Sequence, residues 1–230
     1  MGAMRTVTAV AHRGDPYRVR ENTLPSLRSA LERGADAVEI DVRLTRDGVP
    51  VLLHDATLDR LWGVDRPLSA LSATEVRELT AGGVPTLTEA LDSVGDHRLM
   101  IDLPGATARS VRAVVAAVHD SGAEDRAYYC AGAEAMLKVR AADPAAEIAL
   151  TWTSLAPPRP ALLAAVRPRW LNYRFSLLTR DLTARVHRDG HLVSAWTPDT
   201  RRSMRRLLDL GVDSITTNRV DVLAGLRGAA

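Results

Sequence analysis

Short apolar runs, many of them β-branched, recur along the chain at 7–11, 37–42, 99–103, 127–130, 148–152, 170–173, 192–196 and 214–217. Each is too short for a helix and reads as a strand buried on both faces. Between them lie longer segments with apolar residues at helical spacing, at 24–33, 86–93, 107–121, 134–142, 161–166, 182–188 and 201–210. Pro85-Thr86 and Thr197-Pro198-Asp199 carry helix-start chemistry, and Gly34, Gly122, Gly190 and Gly211 fall where a left-handed residue would end a helix. Strands alternating with helices predict an α/β fold with a parallel sheet.

One run, 49–53, breaks the alternation. It follows the second strand through Arg46-Asp47-Gly48, and an Asp-Gly step between alternating runs predicts a tight hairpin. A hairpin partner is antiparallel, so this run is read as an arm that folds back and brings His54 to the end of the second strand. Eight parallel strands remain, the number that closes a TIM (β/α)8 barrel with its active site at the C-terminal strand ends. The rival, an open doubly wound sheet, would carry a glycine-rich phosphate loop after its first strand; neither GxGxxG nor GxxxxGK[ST] occurs. Residues 56–83 lack a clear period apart from a helix-like 72–79, and read either as a small cap beside the mouth or as a plain connection. No Ser/Gly/Pro-rich stretch divides the 230 residues, so 1–230 is read as one domain.

Composition narrows the partners. The net charge is +2, the basic residues are dispersed, and aromatics make up 4%, which argues against nucleic acid and for a small-molecule substrate. The lone Cys130 excludes a disulfide framework and a thiolate metal cluster, and its apolar surroundings predict a core filler. No apolar run approaches a membrane span and no signal peptide precedes His12, so no stable membrane insertion and a cytoplasmic location are expected. Residues 1–6 formally fit a myristoylation pattern, but the second methionine at Met4 favours an alternative start.

The candidate chemistry is concentrated in the first half. Glu39 and Asp41 are two apart on a strand and share a face. They are either a solvated edge pair or, near a barrel mouth, a pair that needs a cation between them; hard oxygen donors favour Mg²⁺, Ca²⁺ or Mn²⁺ over zinc. Asp102, ending another apolar strand, is a candidate third ligand. His12 ends the first strand and His54 the arm; converging on the carboxylates, they suggest an acid and a base. Arg13 carries a fork suited to phosphate oxygens. His97, His119, His187 and His191 fall on or beside helices and are expected at the surface. No GxSxG elbow is present, and the parts together suggest a metal-dependent phosphodiesterase.

In order and spacing, His12-Arg13-Gly14, Glu21-Asn22-Thr23, Glu39-Ile40-Asp41-Val42, Thr45-Arg46-Asp47-Gly48-Val49-Pro50-Val51 and His54-Asp55 resemble the opening of the glycerophosphodiester phosphodiesterase family. Val84-Pro85-Thr86-Leu87-Thr88-Glu89 and Ala195-Trp196-Thr197 resemble later pieces of it. The resemblance implies a TIM barrel that hydrolyses glycerophosphodiesters to glycerol phosphate and an alcohol. It implies one divalent cation, Mg²⁺ or Ca²⁺ with Mn²⁺ also suited, on Glu39, Asp41 and Asp102. It further implies that His12 and His54 exchange roles as base and acid, that Arg13 holds the phosphate, and that Glu21, Asn22 and Trp196 shape the substrate pocket. In the implied mechanism the glycerol 2-hydroxyl attacks phosphorus, and water opens the resulting cyclic phosphate.

Two departures stand out. The family's third strand usually ends Glu-x-Lys, whereas here the positions read Asp102-Leu103-Pro104. Lys138, the only lysine, lies in a predicted helix away from the strand ends, so Arg174, after the sixth strand, is expected to bind the substrate phosphate in its place. The last strand ends Thr216-Thr217-Asn218 where the family tends to have aspartate. A non-catalytic barrel that binds a phosphorylated ligand, favoured by the missing lysine, and a lyase that stops at the cyclic phosphate are the alternatives.

Overall fold

In the computed structural model, which describes residues 7–227, every one of the eight apolar runs is a strand. The strands are β1 (Thr8–His12), β2 (Ala37–Leu44), β3 (Pro50–Leu52), β4 (Thr57–Leu58), β5 (Val64–Pro67), β6 (Arg98–Asp102), β7 (Ala127–Ala131), β8 (Ile148–Trp152), β9 (Trp170–Arg174), β10 (Leu192–Trp196) and β11 (Ser214–Thr217). All but β3, β4 and β5 pair in parallel in the order β1-β2-β6-β7-β8-β9-β10-β11. β11 returns to β1 with Ala9 opposite Ile215, so the sheet has no free edge between them. With helices between successive strands, this is a TIM barrel. The myristoylation pattern at 1–6 lies outside the described residues.

The period of two along each strand builds the site. Val10, Ala37, Met100, Tyr128, Ala149 and Trp170 point inward and pack together as an apolar plug. Two residues further along the same strands stand His12, Glu39, Asp102, Cys130, Thr151 and Asn172, all lining one cavity at the C-terminal end. One layer is oil and the next is polar, which turns a filled barrel into a cup. Below the plug, Glu147 accepts hydrogen bonds from Arg98 (2.6 Å), Trp170 Nε1 (2.7 Å) and Arg169 (2.8 Å) and closes the opposite end. The alternate residues face outward, where Val38, Ile40, Leu99 and Ile101 meet the apolar stripes of the helices.

Helix ends follow local chemistry. Thr86 and Glu89 cap one another's backbone at 3.1 and 2.8 Å to start Leu87–Val94, and Gly211 ends Arg201–Leu210 in the left-handed conformation. A final helix, Val220–Arg227, follows β11. The arm β3 pairs antiparallel with β2, Val42 opposite Leu52, through a turn in which Gly48 has φ +87°. Residues 57–79 form the β4–β5 ribbon, a single helical turn Asp59–Trp62 and a helix Ala73–Leu79 around Leu58, Leu68, Leu71 and Val76. That small core also takes in Val51 and Leu53 of the arm, so the insertion holds the segment leading to His54. No helix among the described residues is long and apolar enough to cross a membrane.

Candidate active site

The cavity at the strand ends has a volume of about 640 Å³ and is lined by His12, Arg13, Glu39, His54, Asp102 and Trp196 among others. Its acidic side is made by Glu39, Asp41 and Asp102, each offering an oxygen within 4.8 Å of the others'. Glu39 and Asp41 are 4% and 1% exposed, which excludes a solvated edge pair. Burial, and then Asp41 and Asp102 beside it, push the Glu39 carboxyl well above the usual carboxylate range. Burial and Asp41 raise Asp102 to about 6. Three carboxylates this close hold their charges together only against more positive charge than Arg13 alone supplies. Buried hard oxygens fit a divalent cation such as Mg²⁺, Ca²⁺ or Mn²⁺ and no soft metal.

Arg13 is gripped on three sides. Its backbone N–H donates to Glu39 (2.9 Å), Nη1 donates to Glu21 (2.9 Å), and Nε lies 3.0 Å from Asp41. Burial lowers its pKa, but Asp41, Glu39 and Glu21 together raise it above the ordinary value. The backbone at Arg13 has φ +57°, and at Gly14 φ +89°. A Cβ at Gly14 would sit 2.3 Å from Ser26 Oγ and 2.7 Å from the Ser26 backbone, so only glycine lets the turn press against the following helix. Holding a non-glycine residue at positive φ costs on the order of 1 kcal/mol, which the bonds to Glu39 and Glu21 offset.

The two histidines are held differently. His12 Nδ1 lies 2.8 Å from Asn218 Oδ1, and Asn218 donates its Nδ2 to Asp199 at 2.8 Å. That second bond fixes the amide with its oxygen toward the imidazole, so Nδ1 carries the hydrogen and Nε2 is left as the acceptor. Burial, then Arg13, lower the His12 pKa against the opposing pull of Asn218, Asp41 and Glu21. His54 is more open, its side chain 42% exposed, and its Nδ1 lies 2.7 Å from Asp55. Arg60 of the insertion joins Asp55 (2.5 Å) and Glu21 (2.7 Å). The bond from Arg60, with that from His54, depresses the Asp55 pKa to about 2. One guanidinium thereby links the partner of His54 to the partner of Arg13.

Several residues stand elsewhere than the sequence suggested. Glu21 and Asn22 do not line the cavity: Glu21 holds Arg13 and Arg60, while Asn22, 2% exposed, donates to Asp41 Oδ2 (2.8 Å) and accepts from the Asp41 N–H (3.2 Å). They orient the site and do not form its walls. Arg174 stands apart from the other expected site residues. It is exposed and does not line the cavity, because the register that puts Asn172 on the cavity wall puts Arg174 one layer higher, above the rim. Lys138 is not remote from the strand ends either. Its Nζ donates to Ala106 O (2.9 Å), in the loop after β6, and to Glu134 (2.7 Å), which engage its charge. Cys130 lines the cavity floor, receives a hydrogen bond from Asn172 Nδ2 (3.1 Å), and burial pushes its thiol far up, consistent with packing and not with nucleophilic attack. His97 and His119 are exposed, and His187 and His191 are half-buried away from the cavity.

Arg43, Asp55, Arg60 and Asn218 drew no role from the sequence. Arg43 carried a readable signal in sharing the strand parity of Glu39 and Asp41, and Asp55 in standing beside His54 in the resemblance.

The glycerophosphoryl diester phosphodiesterase family model matches residues 12–222. The chain belongs to that family. A glycerophosphodiester phosphodiesterase of Caldanaerobacter subterraneus is 28% identical over 97% of this chain and 98% of its own length. A probable glycerophosphodiester phosphodiesterase 2 of Mycobacterium tuberculosis is 32% identical over 94% of this chain and 88% of its own. In fold, the chain matches an Oleispira antarctica phosphodiesterase solved with the product sn-glycerol-3-phosphate, with a TM-score of 0.85 at 24% identity and 97% coverage of both chains. The putative family member from Silicibacter pomeroyi also superposes with a TM-score of 0.85, at 23% identity and 98% and 95% coverage.

Proposed function

We propose that the protein hydrolyses glycerophosphodiesters to glycerol phosphate and a free alcohol, with His12 as first base, His54 as first acid and Arg13 on the phosphate. The observation that carries this reading is that both histidines, Arg13, Glu39 and Asp102 line one cavity. Asn218 leaves His12 Nε2 as an acceptor, and burial keeps the ring neutral, so it takes the proton of the glycerol 2-hydroxyl. That oxygen bonds to phosphorus as the bond to the alcohol oxygen breaks, and His54, its Nδ1 hydrogen on Asp55, gives the alcohol its proton. In the second half His54 takes a proton from water, water's oxygen bonds to phosphorus, and His12 returns its proton to the glycerol oxygen as the ring opens. Arg13 faces the charge that builds on the phosphate oxygens.

Glu39, Asp41 and Asp102 would hold a divalent cation, Mg²⁺, Ca²⁺ or Mn²⁺, which when bound would polarise the phosphate and neutralise its charge. Asn22 orients Asp41 for that task, and the Leu103 N–H orients Asp102 at 2.9 Å.

Phosphorus NMR of a glycerophosphodiester incubated with protein and each cation tests the reading. Glycerol phosphate with a stoichiometric alcohol is expected. A persistent cyclic phosphate would instead make the protein a lyase, and tight binding without turnover a receptor; the absence of a lysine at Pro104 favours a receptor, against which stand two imidazoles each oriented by a partner, Asn218 and Asp55.

A further inference from the structure

A second cavity, of about 330 Å³, adjoins the first, and residues 103–106 line both. Its lining includes Arg43, Arg46 and Arg109 and no carboxylate, although the chain carries 28 acidic side chains against 30 basic ones. Arg46 is engaged by Glu75 and the Ala70 carbonyl. Arg43 donates its Nε to the His54 carbonyl at 2.8 Å, and its terminal nitrogens have no hydrogen bond among the described residues, although Asp41, Asp55 and Asp102 stand near enough to act on its charge. Arg109 is exposed, has no hydrogen-bond or ion-pair partner among the described residues, and lies against Gly48 of the hairpin turn. Thr107 and Ser110 satisfy the adjoining helix end with one another, so the arginines are the groups left to bind a ligand. Between the two cavities stands Gly105, where a Cβ would come within 3.3 Å of Arg43 Nη1; its bare backbone keeps the saddle low and lets the guanidinium lie against it.

We propose that this cavity is a leaving-group subsite for an alcohol that bears an anionic group, a carboxylate or a second phosphate, read by Arg43 and Arg109. The proposal rests on the hydrolase reading above, with the scissile phosphate among the residues of the first cavity, and adds that the alcohol extends over residues 103–106 into the second. Guanidinium pairs with either anion in the same forked geometry.

Two pairs of diesters test it. Glycerophosphoserine and glycerophosphoethanolamine differ by one carboxylate, and a phosphorylated glycerophosphoglycerol differs from glycerophosphoglycerol by one phosphate. The protein should prefer the more anionic member of at least one pair in kcat/KM, and Arg109→Ala should reduce that preference about fivefold while leaving the less anionic member within about twofold. Arg109 touches no catalytic residue, so unfolding is not expected, and Arg109→Lys should keep part of the preference. Equal kcat/KM within both pairs, or a preference indifferent to Arg109→Ala, overturns the subsite. Calorimetric titration of the same four diesters reads the discrimination without turnover. A protein that cleaves none of them fails as a hydrolase, yet the titration still decides the subsite.

Discussion

Without a divalent cation, Asp102 should make the protein less stable as pH rises. Its carboxyl ordinarily titrates near 3.8 and is raised to about 6 in the folded chain. The folded form therefore holds the proton more tightly, and the stability this provides is complete below about pH 4 and is lost as pH climbs through 6. At 1.36 kcal/mol for each pH unit between the two values, the full span is worth ~3 kcal/mol, of which ~2 kcal/mol falls between pH 4.5 and 7.5. For a chain of this size that is ~4–8 °C in Tm. Other groups oppose it at the acid end, among them His12, its pKa lowered by burial and Arg13, and the carboxyls with depressed values such as Asp55, at about 2, and Glu21, whose contributions are lost as pH falls. The comparison with Asp102→Asn cancels them. The same variant relieves Glu39 and Asp41 of a like-charged neighbour, which adds to the difference in the same direction. Scanning calorimetry of both proteins in EDTA should show the Asn variant gaining on the wild type by several degrees from pH 4.5 to 7.5. A difference in Tm that is flat with pH would refute the buried carboxylate trio as the source of the strain.

Chelation should abolish diester hydrolysis and Mg²⁺, Ca²⁺ or Mn²⁺ should restore it, with ~2.7 kcal/mol of added stability at a hundredfold excess over Kd; full turnover in EDTA would remove the cation from the reading. His12→Ala and His54→Ala should each cut kcat ~100-fold without unfolding, measured by alcohol release. Arg60→Ala should lower kcat about tenfold by loosening His54 and Arg13 together, and Arg60→Lys should recover part of it; unchanged kinetics would show the Asp55–Arg60–Glu21 link to be idle. Arg174→Ala should leave kcat within about twofold, as exposed positions usually do.

The strands were legible because parallel barrel strands are buried on both faces, so each shows as an unbroken apolar run between polar turns. The first ends at His12 rather than at 11, and the second continues to Leu44 past the expected 42, both shifts falling at strand ends. The small core of the insertion was not legible, since Leu58, Leu68, Leu71 and Val76 come from four different local conformations and share no period. The helix Val220–Arg227 went unseen because it is short and contains Gly225. Glu39 and Asp41 could be paired in advance from strand parity, and Asp102 joined to them as the end of another apolar run, both local properties. The roles of Asn218 and Arg60 could not, because their partners lie 206 and 39 residues away. Arg174 was chosen for its place at a strand end, which does not give the height above a cavity floor, and it stands exposed outside the cavity lining.

The bond between His12 and Asn218 ties the first strand of the barrel to the residue just after the last. During synthesis Arg13, Glu39, Asp41 and His54 leave the ribosome early, yet the His12 ring lacks its partner Asn218 until most of these 230 residues have followed. A chain without β11 and the residue after it would lack the partner that sets which nitrogen of His12 carries the hydrogen. Onset of turnover in a refolding experiment therefore reports on the closing of the ring, which signals from single helices do not.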